Sequence, residues 1–258
     1  MACNVTTTEV MTVAASRMLQ NGQVCFVGIG MPSTASNLAR LTHAPEVVLI
    51  YESGPIGTRP PILPLSIGDG ILAETADTVV STPEIFRYWL QGGRIDVGFL
   101  GAAQIDRFAN LNSTVIGPYG RPKVRLPGAG GAPEIASQAR EVYVVINHSN
   151  RAMMAKLDFI STAGFLTGGD ARQKAGIHGK GPSVVITDLC IMRPDPETKE
   201  LTVTEIHPGI TRDKIKEATG WPIRFADKVE DTAAPRADEL EVLRALLKRT
   251  AEAHGTSA

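Results

Sequence analysis

The 258-residue chain is long enough for one large α/β domain or two small ones, and at 43% hydrophobic it can bury a sizeable core. With a formal net charge of −1 and no run of five basic residues, it offers no attractive field to nucleic acid or an anionic membrane. No apolar run approaches the ~20 residues that a membrane helix needs, and the N-terminus lacks the charged and apolar regions of a signal peptide.

Thr6 followed by Glu9 forms a capping box, and Val10, Ala14 and Met18 continue it at helical spacing up to Asn21-Gly22. The short apolar run 24–29 predicts a buried strand. Ser33 then suits the cap of a helix reaching Leu41, and 47–51 is the next strand. Residues 53–75, rich in Gly and Pro, read as a long ordered loop over the sheet edge. A short strand at 78–80, a helix at 83–91 closed by Gly92-Gly93 and a buried strand at 95–100 follow. Residues 107–133 are irregular. Strands are expected at 141–147, 183–192 and 201–206, with a Gly-rich loop at 163–182. Thr211 caps a helix ending at Gly220, and 238–253 places Leu240, Leu243, Leu246 and Leu247 on one face of a last helix. Strands alternating with helices predict an α/β fold: an open, mainly parallel sheet with helices on both faces. No linker divides the chain, so a single domain over 1–258 is expected.

The three cysteines (Cys3, Cys25 and Cys190) lie far apart, with no CxxC pair. Cys25 and Cys190 sit in apolar runs, where a cysteine is a small buried hydrophobe. A reducing, cytoplasmic setting fits them. The five histidines show no metal-ligand spacing, so no metal is expected. Gly28-Ile29-Gly30 only begins a dinucleotide fingerprint: Ser33 stands at the third glycine, and Pro32 disturbs the expected helix start. No P-loop lysine and no GxSxG elbow occurs.

Three features carry chemistry. Glu52 ends the apolar run Val47, Val48, Leu49, Ile50 and precedes Ser53-Gly54. A carboxylate there is costly to desolvate, and ligands bind at the C-terminal strand ends of open α/β sheets. Glu52 is therefore a candidate nucleophile, against the alternative of a solvent-facing or turn-capping residue. Gln104, just past the strand ending at Leu100, can donate to a carbonyl oxygen or be a plain loop amide. The cluster Gly128-Ala129-Gly130-Gly131-Ala132 can offer backbone N–H groups to an oxyanion, or be a flexible turn. A carboxylate nucleophile with an oxyanion site suits acyl transfer.

Taken in order, Tyr51-Glu52-Ser53-Gly54, Leu100-Gly101-Ala102-Ala103-Gln104-Ile105-Asp106, Gly117-Pro118-Tyr119 and Gly128-Ala129-Gly130-Gly131-Ala132 resemble the β subunit of family I CoA transferases, of the glutaconate type. The resemblance runs over residues 8–248. Within that group the stretches 49–57, 64–77 and 85–104 are most similar to members acting on 3-oxoadipate in aromatic-compound degradation.

The resemblance implies ping-pong transfer from succinyl-CoA through acyl-glutamyl and glutamyl-CoA intermediates on Glu52. Gln104 and the amides of Gly130, Gly131 and Ala132 would serve as oxyanion donors. It implies no cofactor, CoA being a substrate, and an α-subunit partner in a heteromer. Arg59 departs from the glutaconate pattern, which has a small polar residue there. It suggests either a clamp for the distal carboxylate of a dicarboxylic acid or a solvent-facing loop residue. Relatives that hydrolyse or decarboxylate CoA esters are expected to lack this glutamate. A sugar-phosphate sensor of related fold would carry a basic helix-turn-helix that this chain lacks.

Overall fold

A computed structural model describes residues 5–255. The backbone gathers into two compact units: residues up to Phe99 with those from Ala234 onward, and Leu100–Ala233.

The first unit opens with α1 (Thr7–Arg17). The Thr6 hydroxyl accepts from the Glu9 amide, and the Glu9 carboxylate accepts from the Thr6 amide, as the capping box predicts. Then come β1 (Val24–Val27), α2 (Met31–Leu41) and β2 (Val48–Ile50), with β1 and β2 parallel. Ser33 is not the cap of α2. The helix is capped three residues earlier, at Gly30 with φ +82°, a conformation that glycine adopts without strain. Pro32 sits in the first turn, where its fixed φ and missing N–H suit a helix start.

Residues 53–75 are not all loop. β3 (Pro55–Ile56) and β4 (Thr78–Val79) add an antiparallel edge beyond β2, and α3 (Gly70–Glu74) lies between them. The helix expected at 83–91 is α4 (Thr82–Glu84) followed by a π-helical segment, Ile85–Leu90. β5 (Val97–Gly101) pairs in parallel with the other side of β1, giving the order β5-β1-β2-β3-β4. The C-terminal helix Ala237–His254 returns to this unit, where Leu243 packs with Val13 of α1 and Leu38 of α2. Leu240, Leu243 and Leu246 are buried, whereas Leu247 lies off that face and is 39% exposed.

The second unit begins with two hairpins, β6 (Gln104–Ile105) with β7 (Leu111–Asn112) and β8 (Val115–Ile116) with β9 (Val124–Arg125), of which β7, β8 and β9 fall in the stretch 107–133 read as irregular. α5 (Ala132–Gln138) leads to β10 (Glu141–Val145), and α6 (Ala171–Lys174) interrupts the Gly-rich loop. The apolar run 183–192 is two strands, not one. β11 (Pro182–Ile186) turns at Thr187–Leu189 into antiparallel β12 (Cys190–Pro194). The Thr187 hydroxyl holds the turn by accepting from the Leu189 and Cys190 amides. β13 (Leu201–Ile206), α7 (Arg212–Glu217) and β14 (Arg224–Asp231) complete the order β14-β13-β12-β11-β10. The fold class is α/β, with an open, mainly parallel sheet and helices packed against it.

Candidate active site

In the first unit the parallel strands β5, β1 and β2 end on the same side, and two chain features emerge there. β1 runs through Gly28-Ile29-Gly30 into the N-terminus of α2, and β2 runs into the turn that carries Glu52. This turn is tight: the Gly54 amide donates to Tyr51 O at 3.0 Å, and the Tyr51 amide donates to Pro55 O at 3.2 Å. Glu52 and Ser53 occupy its two central positions, half-buried, while Tyr51 before them is fully buried.

Tyr51 anchors the turn from beneath. Its hydroxyl lies 2.8 Å from Ser33 Oγ in the first turn of α2, and Asn37 Nδ2 donates to Ser33 O. Burial pushes the phenol up to about 12, so it stays neutral. Gly54 anchors the turn from the far side. Its φ is +120°, and a Cβ there would stand 2.0 Å from Val80 O, leaving no room for any other residue. Ser53 stands out for its buried hydroxyl. Its Oγ is buried with no hydrogen-bond partner among the described residues, an expensive state and one suited to a hydroxyl awaiting a group brought in by substrate. The only sequence signal was its place beside Glu52.

Arg59, seven residues beyond Glu52, spends its fork on a resident carboxylate. Nη1 and Nη2 meet Asp77 Oδ1 and Oδ2 at 2.6 and 3.1 Å. The pair is solvent-exposed. The Asp77 carboxylate raises the Arg59 guanidinium further, and Arg59 holds Asp77 below the usual carboxylate range. Nothing in the sequence linked these two residues, 18 positions apart, and a substrate clamp at Arg59 requires this exposed pair to open.

The other expected site residues lie in the second unit. Gln104 is buried, and its amide is engaged at both ends. Nε2 donates to Arg151 O at 3.3 Å, while Oε1 accepts from Asn112 Nδ2 at 2.8 Å. Asn112, itself fully buried, also donates to Val115 O and accepts from the Thr114 amide. Gln104 is thus fixed in a buried amide ladder across β6 and β7, not presented as a loose loop amide. In the Gly-rich loop the three expected donors differ. The Ala132 amide closes a turn onto Ala129 O at 3.0 Å. Gly131 is buried at the start of α5, and Gly130 is exposed at φ +50°.

Neither described cysteine is reactive: burial pushes the Cys25 and Cys190 thiols up to about 12. Cys3 lies outside the described residues. Among the described residues no helix is long and apolar enough to cross a membrane.

The half-buried Glu52 is thus held by a rigid turn at the mouth of a parallel sheet. The chain belongs to the coenzyme A transferase family, whose model matches residues 8–218. It is 66% identical over 249 residues to a 3-oxoadipate CoA-transferase subunit from Pseudomonas knackmussii, covering 96% of each chain. It is 32% identical to a glutaconate CoA-transferase subunit from Acidaminococcus fermentans, over 93% of this chain and 92% of that one. The solved structure of the Acidaminococcus fermentans glutaconate coenzyme A-transferase superposes with a TM-score of 0.87 at 30% identity, covering 93% and 94% of the two chains.

Proposed function

We propose that this chain is the β subunit of a cytoplasmic CoA transferase that moves CoA from succinyl-CoA to 3-oxoadipate, with Glu52 as the nucleophile. The observation carrying this reading is a Glu-Ser-Gly turn at the end of β2 in a chain so similar to a 3-oxoadipate CoA-transferase subunit. The Glu52 carboxylate attacks the thioester carbonyl of succinyl-CoA, and CoA thiolate leaves to give a mixed anhydride. The thiolate then attacks the glutamyl carbonyl and expels succinate, leaving a glutamyl-CoA thioester. The 3-oxoadipate carboxylate attacks that thioester and again releases thiolate. The thiolate takes the acyl group from the second anhydride and frees Glu52.

A carboxylate is a weak nucleophile, so these steps need a dry, fixed site. Tyr51 and Gly54 fix the turn, and the unpartnered hydroxyl of Ser53, the next residue in sequence, is free to donate to a bound substrate group. The oxyanion role that the resemblance implies for Gln104 and the amides of Gly130, Gly131 and Ala132 stays part of this proposal, and for Ala132 it requires the bond to Ala129 O to open. The reaction calls for no cofactor. An α subunit completes the enzyme, in keeping with relatives that are each one subunit of a larger transferase.

The test is intact-mass spectrometry of the chain, purified with its α partner, after mixing with succinyl-CoA. A CoA-sized adduct on Glu52 that borohydride removes is expected. If acyl-CoA is consumed with no such adduct, the chain is a hydrolase or decarboxylase and this reading falls. Acceptors are then screened, 3-oxoadipate first.

A further inference from the structure

The second unit holds a cavity of about 430 Å³ that is lined by none of Glu52, Gln104 and the Gly-rich loop 128–132. Pockets of several hundred Å³ are the size that takes a small organic ligand. Its lining carries Arg172, Lys180, Lys199 and His178 and, among the described residues, no carboxylate. Three acids adjoin lining residues in sequence without lining the cavity themselves: Asp170 is held by Lys174 at 3.0 Å, Asp195 accepts from the Glu197 and Thr198 amides, and Glu200 meets Arg224 at 3.2 Å.

Arg172 is the unusual member. Only 4% exposed, it donates to four backbone carbonyls: Nε to Gly179 O, Nη1 to Ala163 O and Gly164 O, and Nη2 to Ala136 O. Its hydrogen bonds are thus supplied, but no carboxylate among the described residues forms an ion pair with it. A buried charge without a counter-charge is costly. Burial lowers its pKa to about 10, which still leaves it cationic at neutral pH.

Lys199 reinforces the same sign. Its backbone sits in the left-handed region at φ +63°, and its Nζ lies 6.0 Å from the Phe165 ring centroid. Nζ donates to Pro196 O, and an ammonium has three protons to give. Lys180 is exposed. A concave site lined by one sign of charge concentrates counter-ions.

We propose that this cavity binds a phosphate-bearing anion, whose charge balances Arg172 and whose oxygens accept from Lys180 and Lys199. Phosphate suits the site because each group brings several strong acceptors to a cluster of cations.

The full chain, purified with its α partner, is titrated calorimetrically with inorganic pyrophosphate, ADP and free CoA. At least one of the three binds, more weakly as salt rises. Lys180→Gln combined with Lys199→Asn weakens it about tenfold or more, a loss of about 1.4 kcal/mol. Asn is chosen because it tolerates the left-handed backbone. Lys180→Gln alone, at an exposed position with no packing role, weakens it in the same direction, and Lys214→Gln on α7 leaves it unchanged. If free CoA displaces pyrophosphate and the double variant raises KM for acyl-CoA, the phosphate is CoA's own. If pyrophosphate or ADP binds without competing with CoA, the anion is a separate effector. Absence of binding by all three probes, or equal binding by wild type and double variant, overturns the proposal.

Discussion

Glu52 and its neighbours can be separated by substitution because each does a different physical job. Glu52→Gln keeps the shape of the turn but removes the proposed nucleophile. Transfer should fall by about 10⁴-fold or more, as when other covalent nucleophiles are removed, with folding unchanged by circular dichroism. Gly54→Ala does the opposite. It places a methyl 2.0 Å from Val80 O at a φ of +120°. The turn must shift, at a cost of about 2–3 kcal/mol, read as a lowered denaturation midpoint, and activity falls because Glu52 moves with the turn. Arg59→Ala should leave KM for dicarboxylic acids unchanged, since its fork is already closed on Asp77. A rise in KM confined to dicarboxylic acceptors would restore the clamp that the geometry argues against.

At the scale of elements, α1 and the C-terminal helix are clamped by two ion pairs between opposite ends of the sequence. Arg17 meets Glu239 through Nε and Nη2 at 2.9 and 2.6 Å, and Arg244 meets Glu9 at 2.6 and 3.1 Å. Glu239 is 2% exposed and also caps its own helix by accepting from the Arg236 amide. Arg17→Ala leaves that carboxylate buried with one cation fewer, so stability should fall by about 1–2 kcal/mol, less than for a fully enclosed pair because Arg17 is partly exposed. A change in the unfolding midpoint no larger than that of a surface substitution would show that the clamp does not hold these helices. The Thr6 and Glu9 box and the leucine stripe were legible in the sequence because both are local patterns. The clamp was not, because its partners are more than 200 residues apart. Other misreadings have equally local causes. The β11 to β12 hairpin was hidden because both strands are buried and the turn Thr187-Asp188-Leu189 holds no Gly or Pro. β14 escaped notice because most of it is exposed, with Arg224, Asp227, Lys228, Glu230 and Asp231 in place of an apolar run. The Glu52 turn was readable from an apolar run stopped by an acid and a Ser-Gly pair. The engagement of Ala132 and Arg59 depends on backbone geometry and a distant partner.

For the whole molecule, stability against pH should be set by different groups in the two units. In the second unit His148 is buried, its ring nitrogens bonded to the Thr187 and Thr219 hydroxyls at 3.1 and 2.8 Å. Burial lowers its pKa from 6.5 to about 4, and burial likewise lowers that of His207. A histidine held neutral contributes its full stability above the unfolded value of 6.5. The unfolded chain then binds protons that the native chain refuses, so stability drops as pH falls from 6.5 toward 4. In the first unit Glu9 and Glu239 also have lowered values. For Glu9 the Arg244 hydrogen bond leads, whereas for Glu239 burial opposes ionisation and Arg17 and Arg236 outweigh it. Their contribution is present above the ordinary glutamate value of 4.5 and is lost only as pH falls below it. The chain has two tryptophans, Trp89 in the first unit and Trp221 in the second. Trp89→Phe and Trp221→Phe therefore leave one reporter in each. Urea midpoints followed by the remaining Trp221 should decline between pH 6.5 and 4, and His148→Gln should flatten that decline. Midpoints followed by Trp89 should hold until pH drops below about 4.5, where protonation of the clamp carboxylates begins. Coincident declines from pH 6.5 at both reporters would mean that the units unfold as one and that the histidines govern the acid limit of the entire chain.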